Sequence, residues 1–369
     1  MGATEQSFVE IARELGPAFA ERASSHDQDG SFVTENYAEL KRRRVLSAGI
    51  PRELGGGGAS YAEVCAMLRE LARHCGSTAL ALSMHTHLVA AAIWRHGHGQ
   101  PADALLRKIA DSQLVLVSTG AGDWVDSVGQ AQRVEGGYRV TASKRFASGA
   151  PVGDLLVTTA PCEDTVIHFA LPFKTEGVSI HDDWNTLGMR GTGSHTVELK
   201  DVFVPEASVS LTRARGQWHP AWSVTMTVAP PIYMAPYLGI AERAAELARE
   251  DALRRKSEWT TWQALGELEN VLTTAQMAHR EMVELANEYD FKPEVERASR
   301  MLVRKTIASN ALLETVTKAV ESIGGKSLFR RNTIERLLRD IQGARFHPLP
   351  EKQQLAFTGR VELGLSPVV

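Results

Sequence analysis

Residues 138–160, YRVTASKRFASGAPVGDLLVTTA, decide how this chain is read. Two runs within them, YRVTAS and LLVTTA, alternate in character with a period of two and are rich in β-branched residues. Only a Gly/Pro/Asp turn separates the two, with no helix between, so they predict strands of an antiparallel arrangement and not a βαβ unit. Outward from there, LVLVST precedes, and VIHFAL, VSIHD and HTVELKDVFVP follow, each bounded by Gly, Pro, Asp or Asn. Glu135, Gly136 and Gly137, between Val134 and Tyr138, form a hairpin signal. Six successive strands predict an antiparallel sandwich or barrel over residues 114–212.

On both sides the period changes to that of a helix. Toward the N-terminus, Phe8, Ile11 and Ala12 in one stretch and Val64, Met67, Leu68 and Leu71 in another recur at three and four spacing. Breaks fall at Gly30, at Pro51, across residues 55–58 and across residues 97–101. The glycines at 55–58 are followed by no Gly-Lys-Ser/Thr, and GxGxxG is absent, so they predict a flexible turn before a helix near Ser60 and not a phosphate loop. After Pro230 and Pro231 the helical period resumes through residues 238–255, 265–289, 295–324 and 333–342, with Gly324 and Gly325 as a stop. The expected class is α+β: an N-terminal helical domain over residues 1–113, a middle β-domain over 114–212, and a C-terminal helical bundle over 213–369.

Composition narrows the function. The 369 residues are 43% apolar and carry 41 Lys plus Arg against 44 Asp plus Glu, ample for a large core and too balanced for a phosphate-backbone binder. Nucleic acid is not an expected partner. Cys65, Cys75 and Cys162 are odd in number and show no metal-ligand spacing, which predicts a reducing cytoplasm over a disulfide scaffold. The opening MGATEQSFVEIARELG lacks the basic start and apolar run of a signal peptide, and Gln6 stands where myristoylation needs Ser or Thr. The apolar run at residues 79–94, ALALSMHTHLVAAAIW, is shorter than the roughly 20 residues of a membrane span. It predicts a buried helix, and no membrane partner is expected.

The α, β, α layout resembles the acyl-CoA dehydrogenase superfamily, and five ordered segments carry the likeness: residues 49–73 (GIPRELGGGGASYAEVCAMLRELAR), 116–127 (LVSTGAGDWVDS), 144–157 (KRFASGAPVGDLLV), 184–205 (WNTLGMRGTGSHTVELKDVFVP) and 321–340 (ESIGGKSLFRRNTIERLLRD). The resemblance implies a flavin, FAD or FMN, held between the middle β-domain and the helical domains of a homotetramer. It also implies a C-terminal four-helix bundle, a small-molecule substrate and an oxidoreductase.

Two chemistries share that fold. A dehydrogenase needs a carboxylate to take the α-proton of an acyl thioester. By resemblance its slots fall at His347 or Pro348, after Arg339-Asp340, or near Ala229; neither holds a carboxylate, and Glu351 is the nearest substitute. The Arg-x-x-Phe-Gly motif of the family is replaced by Arg254, Arg255, Lys256 and Ser257. Residues 344–364, ARFHPLPEKQQLAFTGRVELG, instead resemble the ending of the flavin-dependent monooxygenase branch, with its aromatic hydroxylases, sulfur-heterocycle oxygenases and amino-sugar N-oxygenases. That branch uses reduced flavin, supplied by a separate reductase, and O2 through a C4a-hydroperoxyflavin. A neutral imidazole suits such a peroxide, since it can donate from one nitrogen and accept at the other. Monooxygenation is therefore the preferred expectation. FAD-dependent acyl-CoA dehydrogenation and a degenerate flavin-binding scaffold are the alternatives.

The resemblance implies His347, His85 and Ser148 as catalytic residues, with His87 as the neighbour that takes the role of His85 if the register slips by two. Each has a plainer reading: a histidine on an apolar helix as a satisfied core residue, and Ser148 as a turn cap beside Gly149. For the flavin it implies Ser118, Thr119, Phe146, Ser148, Arg190, Ser194, Gly324 and Gly325. Ser118 and Thr119 equally suit a strand-end turn, and Arg190 equally suits pairing with Asp182 or Asp183. Arg330, Arg331 and Arg336 suit either a flavin phosphate across a subunit interface or a solvated helix face. Trp184 is expected to pack the β-domain.

Overall fold

The computed structural model describes residues 6–120 and 127–368. The N-terminal part is built of α1 (Phe8–Asp29), α2 (Thr34–Arg42), α3 (Tyr61–His74), α4 (Gly76–Gly97) and α5 (Asp103–Ser112). Ser7 starts α1 with a capping box: its hydroxyl accepts the Glu10 N–H at 3.2 Å, and the Glu10 carboxylate accepts the Ser7 N–H at 2.9 Å. Ser60 caps α3 by accepting the Glu63 N–H at 3.1 Å, while the Glu63 carboxylate accepts the Phe8 N–H.

The glycine turn ahead of α3 is tightly packed, where the sequence predicts a flexible one. A Cβ on Gly56 would lie 2.1 Å from the Ile50 carbonyl oxygen, and Gly57 and Gly58 donate to the carbonyls of Ser47 and Ile50 at 3.0 and 2.9 Å. Close backbone approach, not flexibility, is what the glycines supply here.

The middle segment holds β1 (Leu116–Ser118), β2 (Gln130–Val134), β3 (Gly137–Ala147), β4 (Leu155–Cys162), β5 (Thr165–Pro172), β6 (Val178–Ile180), β7 (His195–Pro205) and β8 (Val209–Ala214). They form two four-stranded sheets, ordered β1-β4-β5-β8 and β2-β3-β7-β6. The Val134↔Gly137 register closes the expected hairpin. An all-antiparallel middle is not what the chain builds, because β1 runs parallel to β4 with Leu116 opposite Leu155. β2 escapes the sequence reading because QAQRV is mostly polar and exposed; β8, VSLTRA, does alternate, but the sequence reading ends its last strand at Pro205.

The C-terminal segment holds α6 (Pro220–Ala252), α7 (Trp259–Ala286), α8 (Val295–Ile323), α9 (Thr333–Asp340) and α10 (Glu351–Glu362). α6, α7 and α8 pack on one another, and α10 lies on α8. α6 starts ten residues before Pro230 and runs through Pro230, Pro231 and Pro236, so the prolines do not mark its beginning. A proline normally breaks a helix by removing a donor. α6 is buried against α3, α4, α7 and α8, and packing outweighs that loss. The Tyr61 hydroxyl donates to Val228 O at 2.7 Å, and His279 bonds Pro231 O at 2.9 Å through its Nε2. One hydrophobic cluster joins all three segments, including Leu68, Val197 and Leu238. Cys65, Cys75 and Cys162 are buried free thiols. Among the described residues no helix is long and apolar enough to cross a membrane, and no group of three His, Cys, Asp or Glu could hold a metal.

Candidate active site

α4 is the spine of the site. Apolar on nearly every face, it packs on α3 and α6 and touches β1, α9 and the short turn Arg190–Thr192. His85 and His87 leave it two residues apart, on different faces. Both ring nitrogens of His85 are engaged by backbone: Nε2 bonds Leu46 O at 2.9 Å, and Nδ1 accepts the Leu116 N–H at 3.0 Å. The neutral tautomer with Nε2–H satisfies both bonds, and burial pushes its pKa down to about 4. His85 thus ties β1 to the N-terminal helices and has no nitrogen left for a ligand. His87 bonds Ser83 O through Nδ1 at 3.3 Å; burial lowers its pKa to about 4, and it lies near enough to depress His347.

His347 stands in the loop between α9 and α10. Its Nε2 is 2.8 Å from the Tyr237 hydroxyl, and its ring stacks on Tyr233 with centroids 4.9 Å apart. Burial first, then Lys305 and His87, push its pKa down to about 3, so the imidazole is neutral across the physiological range. Lys305 of α8 donates to the carbonyls of His347 at 2.9 Å and Leu349 at 3.1 Å, holding the loop from below. The Tyr233 hydroxyl donates to Pro348 O. A Cβ on Gly343 would sit 2.5 Å from the Tyr237 hydroxyl oxygen, so this glycine is what lets Tyr237 reach His347.

Ser148 follows a bulge in the β3–β7 pairing between Lys144 and Ala147. There Phe146 takes φ 64° and turns outward, 61% exposed, its ring edge-on to Trp184 at 6.1 Å. Ser148 itself is nearly buried. Its hydroxyl lies 2.7 Å from that of Ser194, which lies 2.7 Å from that of Thr192, which donates to Met189 O at 2.9 Å. Beside Gly149 the buried Tyr37 hydroxyl finds no hydrogen-bond partner among the described residues, and a Cβ on that glycine would come within 3.5 Å of it. The Met189 N–H donates to the Asp340 carboxyl at 2.5 Å, joining this β-loop to the end of α9, seven residues before His347. Asp340 is buried, which raises its pKa to about 6.

The other expected residues fall elsewhere. Arg190 does not pair with Asp182 or Asp183: its guanidinium donates to Asp27 O at 2.6 Å, to Asn185 Oδ1 at 2.9 Å and to Thr186 O at 3.0 Å, because α1 ends against this turn. Asp183 instead accepts from Thr196. Ser118 ends β1, and Thr119 bonds the Thr158 hydroxyl at 3.0 Å. Of the expected flavin-edge loop, residues 121–126 lie outside the described residues. Trp184 packs as expected and donates to Met189 O at 3.0 Å. Gly324 and Gly325 are exposed at the end of α8. Arg330, Arg331 and Arg336 line a cleft of about 520 Å³ shared with α1, α3 and α6. Ala229 is buried within α6, and Glu351 is exposed on the first turn of α10. Neither slot places a carboxylate beside His347.

Tyr233, Tyr237, Lys305 and Thr192 were not singled out from the sequence. The Tyr-x-x-x-Tyr spacing that aligns Tyr233 and Tyr237 on one helix face was legible only if α6 was carried through its prolines.

The N-terminal domain of acyl-CoA dehydrogenase matches residues 3–113, and its C-terminal domain matches residues 232–350. The chain belongs to the acyl-CoA dehydrogenase superfamily. Within the superfamily it is 28% identical to a dibenzothiophene monooxygenase of Mycolicibacterium goodii, over 96% of this chain and 93% of the relative. It is 25% identical to the putative acyl-CoA dehydrogenase YdbM of Bacillus subtilis (strain 168), over 93% of each. The fold is that of KijD3 in complex with FMN and dTDP-3-amino-2,3,6-trideoxy-4-keto-3-methyl-D-glucose: TM-score 0.87, 24% identity, 99% of this chain and 96% of that one covered.

Proposed function

We propose that this chain is a flavin-dependent monooxygenase that uses reduced FMN and O2 on a small organic substrate. One observation carries the reading: at the position where, by resemblance, a dehydrogenase of this fold has its carboxylate base, this chain has His347, a neutral imidazole bonded to Tyr237 and stacked on Tyr233. A carboxylate would repel an anionic oxygen species, whereas a neutral imidazole can donate to it. The similarity to a dibenzothiophene monooxygenase and the shared fold of an FMN-bound protein support the same reading.

The residues fit a flavin. An exposed Phe146 edge-packed on Trp184 presents apolar ring surface, Ser148 retains lone pairs without a partner among the described residues, and the Tyr37 hydroxyl is unpaired beside them. Bound in reduced form, the flavin supplies the two electrons by which one oxygen atom enters the substrate and the other leaves as water. The chain's own groups do the rest. His347 and His87 supply neutral imidazoles that move or hold a proton without introducing charge, Lys305 keeps the His347 loop closed, and Ser148 hydrogen-bonds the cofactor. His85 braces β1, so the catalytic role expected of it passes to His87. A separate reductase supplies the reduced flavin, and the enzyme acts as a homotetramer in the cytoplasm, with Gly324, Gly325, Arg330, Arg331 and Arg336 near a neighbouring subunit's cofactor.

The test supplies reduced FMN from a separate reductase under ¹⁸O2 with aromatic sulfur heterocycles and nucleotide-linked amino sugars. A product gaining one ¹⁸O atom is the expected result. Anaerobic bleaching of the bound oxidised flavin by an acyl-CoA thioester would replace this reading with dehydrogenation.

A further inference from the structure

The hydroxyl chain behind Ser148 has a direction. A carbonyl oxygen cannot donate, so the 2.9 Å contact between Thr192 Oγ1 and Met189 O holds a proton only if Thr192 donates it. Each hydroxyl carries one proton. With that of Thr192 spent, the 2.7 Å contact to Ser194 must be filled by the Ser194 proton. With that of Ser194 spent, the 2.7 Å contact to Ser148 must be filled by the Ser148 proton. Ser148 is therefore left with lone pairs alone for any ligand. It presents an acceptor, although a serine by itself could present either.

The chain is rigid enough to enforce this. Thr192 is fully buried, Ser194 is 6% exposed, and no other partner for either hydroxyl is found among the described residues. The backbone is locked as well, because Gly149 N–H donates to Thr192 O at 2.9 Å, and Thr192 N–H to Met189 O at 3.1 Å. Reversing the chain would set the Thr192 oxygen 2.9 Å from the Met189 oxygen with no proton between them; Met189 O also accepts from Trp184 Nε1 and the Thr192 N–H, so the cost is the lone-pair repulsion of that contact and not an unsatisfied carbonyl.

We infer that Thr192 and Ser194 are positioning residues that polarise Ser148 into a hydrogen-bond acceptor and thereby make the site select reduced over oxidised flavin. The inference rests on the proposed flavin site. Reduction places a hydrogen on the nitrogen of the central flavin ring, which is a bare acceptor when oxidised. With that nitrogen held against Ser148, an acceptor there would bond the first form and would meet the second lone pair to lone pair. Such selection suits a protein that receives its flavin already reduced and must release it once oxidised.

The experiment measures Kd for oxidised FMN by fluorescence quenching and for reduced FMN anaerobically, together with the midpoint potential of bound FMN, in the full-length protein. The wild type should bind reduced FMN about tenfold more tightly, the scale of one hydrogen bond gained against one repulsion, which raises the two-electron potential by about 30 mV over free FMN. Ser194→Ala and Thr192→Val free the Ser148 proton and should bring the ratio toward one, whereas Thr192→Ser keeps the hydroxyl and should keep the ratio. A merely structural role would lower both affinities together and leave the ratio and the potential unmoved; that result overturns the inference. So does a wild-type ratio of one or below, with the flavin site intact. Failure to bind either form would remove the flavin site itself. Thr192→Val is nearly isosteric, so the comparison with Thr192→Ser decides even if Ser194→Ala does not fold.

Discussion

Replacing Tyr237 by Phe removes one oxygen and leaves the ring, and its effect can be worked from the contacts around it. The Tyr237 side chain is fully buried, and among the described residues the one hydrogen bond of its hydroxyl is the 2.8 Å contact to His347 Nε2. Removing one partner of such a bond leaves the other unsatisfied in a part-buried site, which costs about 1–3 kcal/mol. Tyr237→Phe should therefore cost about 2 kcal/mol of stability. His347→Leu should cost a similar amount, because its side chain has no polar atom and strands the hydroxyl. The double variant should cost little more than either one, which leaves a coupling of about 1–2 kcal/mol. Urea unfolding with a shared slope measures all four corners of the cycle. In turnover with reduced FMN, Tyr237→Phe should fall about 3- to 10-fold, because Tyr233 still stacks on the imidazole and limits its drift, while His347→Ala should fall far more. A coupling below about 0.5 kcal/mol, within the scatter expected of independent sites, would refute the claim that Tyr237 holds His347.

Gly343→Ala drives a methyl group to 2.5 Å from the Tyr237 oxygen, which should cost about 1–3 kcal/mol and weaken His347 function; in a Tyr237→Phe background the penalty should shrink, and an equal loss in both backgrounds would count against the contact. Lys305→Met should loosen the His347–Leu349 segment, seen as faster amide exchange there, and unchanged protection would contradict its anchoring role. His85, His87 and His279 have pKa values lowered to about 4, and His168 and His347 to about 3, all by burial, against about 6.5 unfolded. The folded state thus prefers neutral rings, and the stability they contribute is complete above about pH 6.5 and lost as pH falls toward 4. Asp340, raised to about 6, acts in the opposite sense between roughly pH 4 and 6, one group against five. The urea midpoint should decline from pH 6.5 to 4, and a flat midpoint would refute this. Arg339→Met strands the carboxylates of Asp27 and Glu335, both largely buried, and should cost about 2–4 kcal/mol; a melting curve shifted by less than 1 kcal/mol would show the pairs to be solvent-screened.

Much of the candidate site was legible because its residues sit in segments whose local pattern is strong. Ser148 closes a β-run, His347 follows a short amphipathic helix, and both fall in motifs that resemble one superfamily. What escaped did so for identifiable reasons. Tyr233 and Tyr237 lie on a helix that local rules end at Pro230, and only burial on several sides carries α6 through. Lys305 reads as one more charge on α8, since nothing local reveals that its ammonium is buried under the His347 loop. Thr192 reads as a turn residue in a Gly-rich stretch. Its part in orienting Ser148 depends on a contact between hydroxyls across the bulge.

By itself the sequence determined the order of helical and β segments, because side-chain period is a local property that each segment carries alone. By resemblance it also places His347 or Pro348, and Ala229, at the positions where a dehydrogenase carries its carboxylate. Tertiary structure decided the rest. Whether a histidine is free or spent depends on which groups come to meet it, and so His85 was taken up by Leu46 and Leu116 while the Nδ1 of His347 meets no partner among the described residues. Which way a hydroxyl points its proton depends on the last acceptor in a chain that no single segment contains.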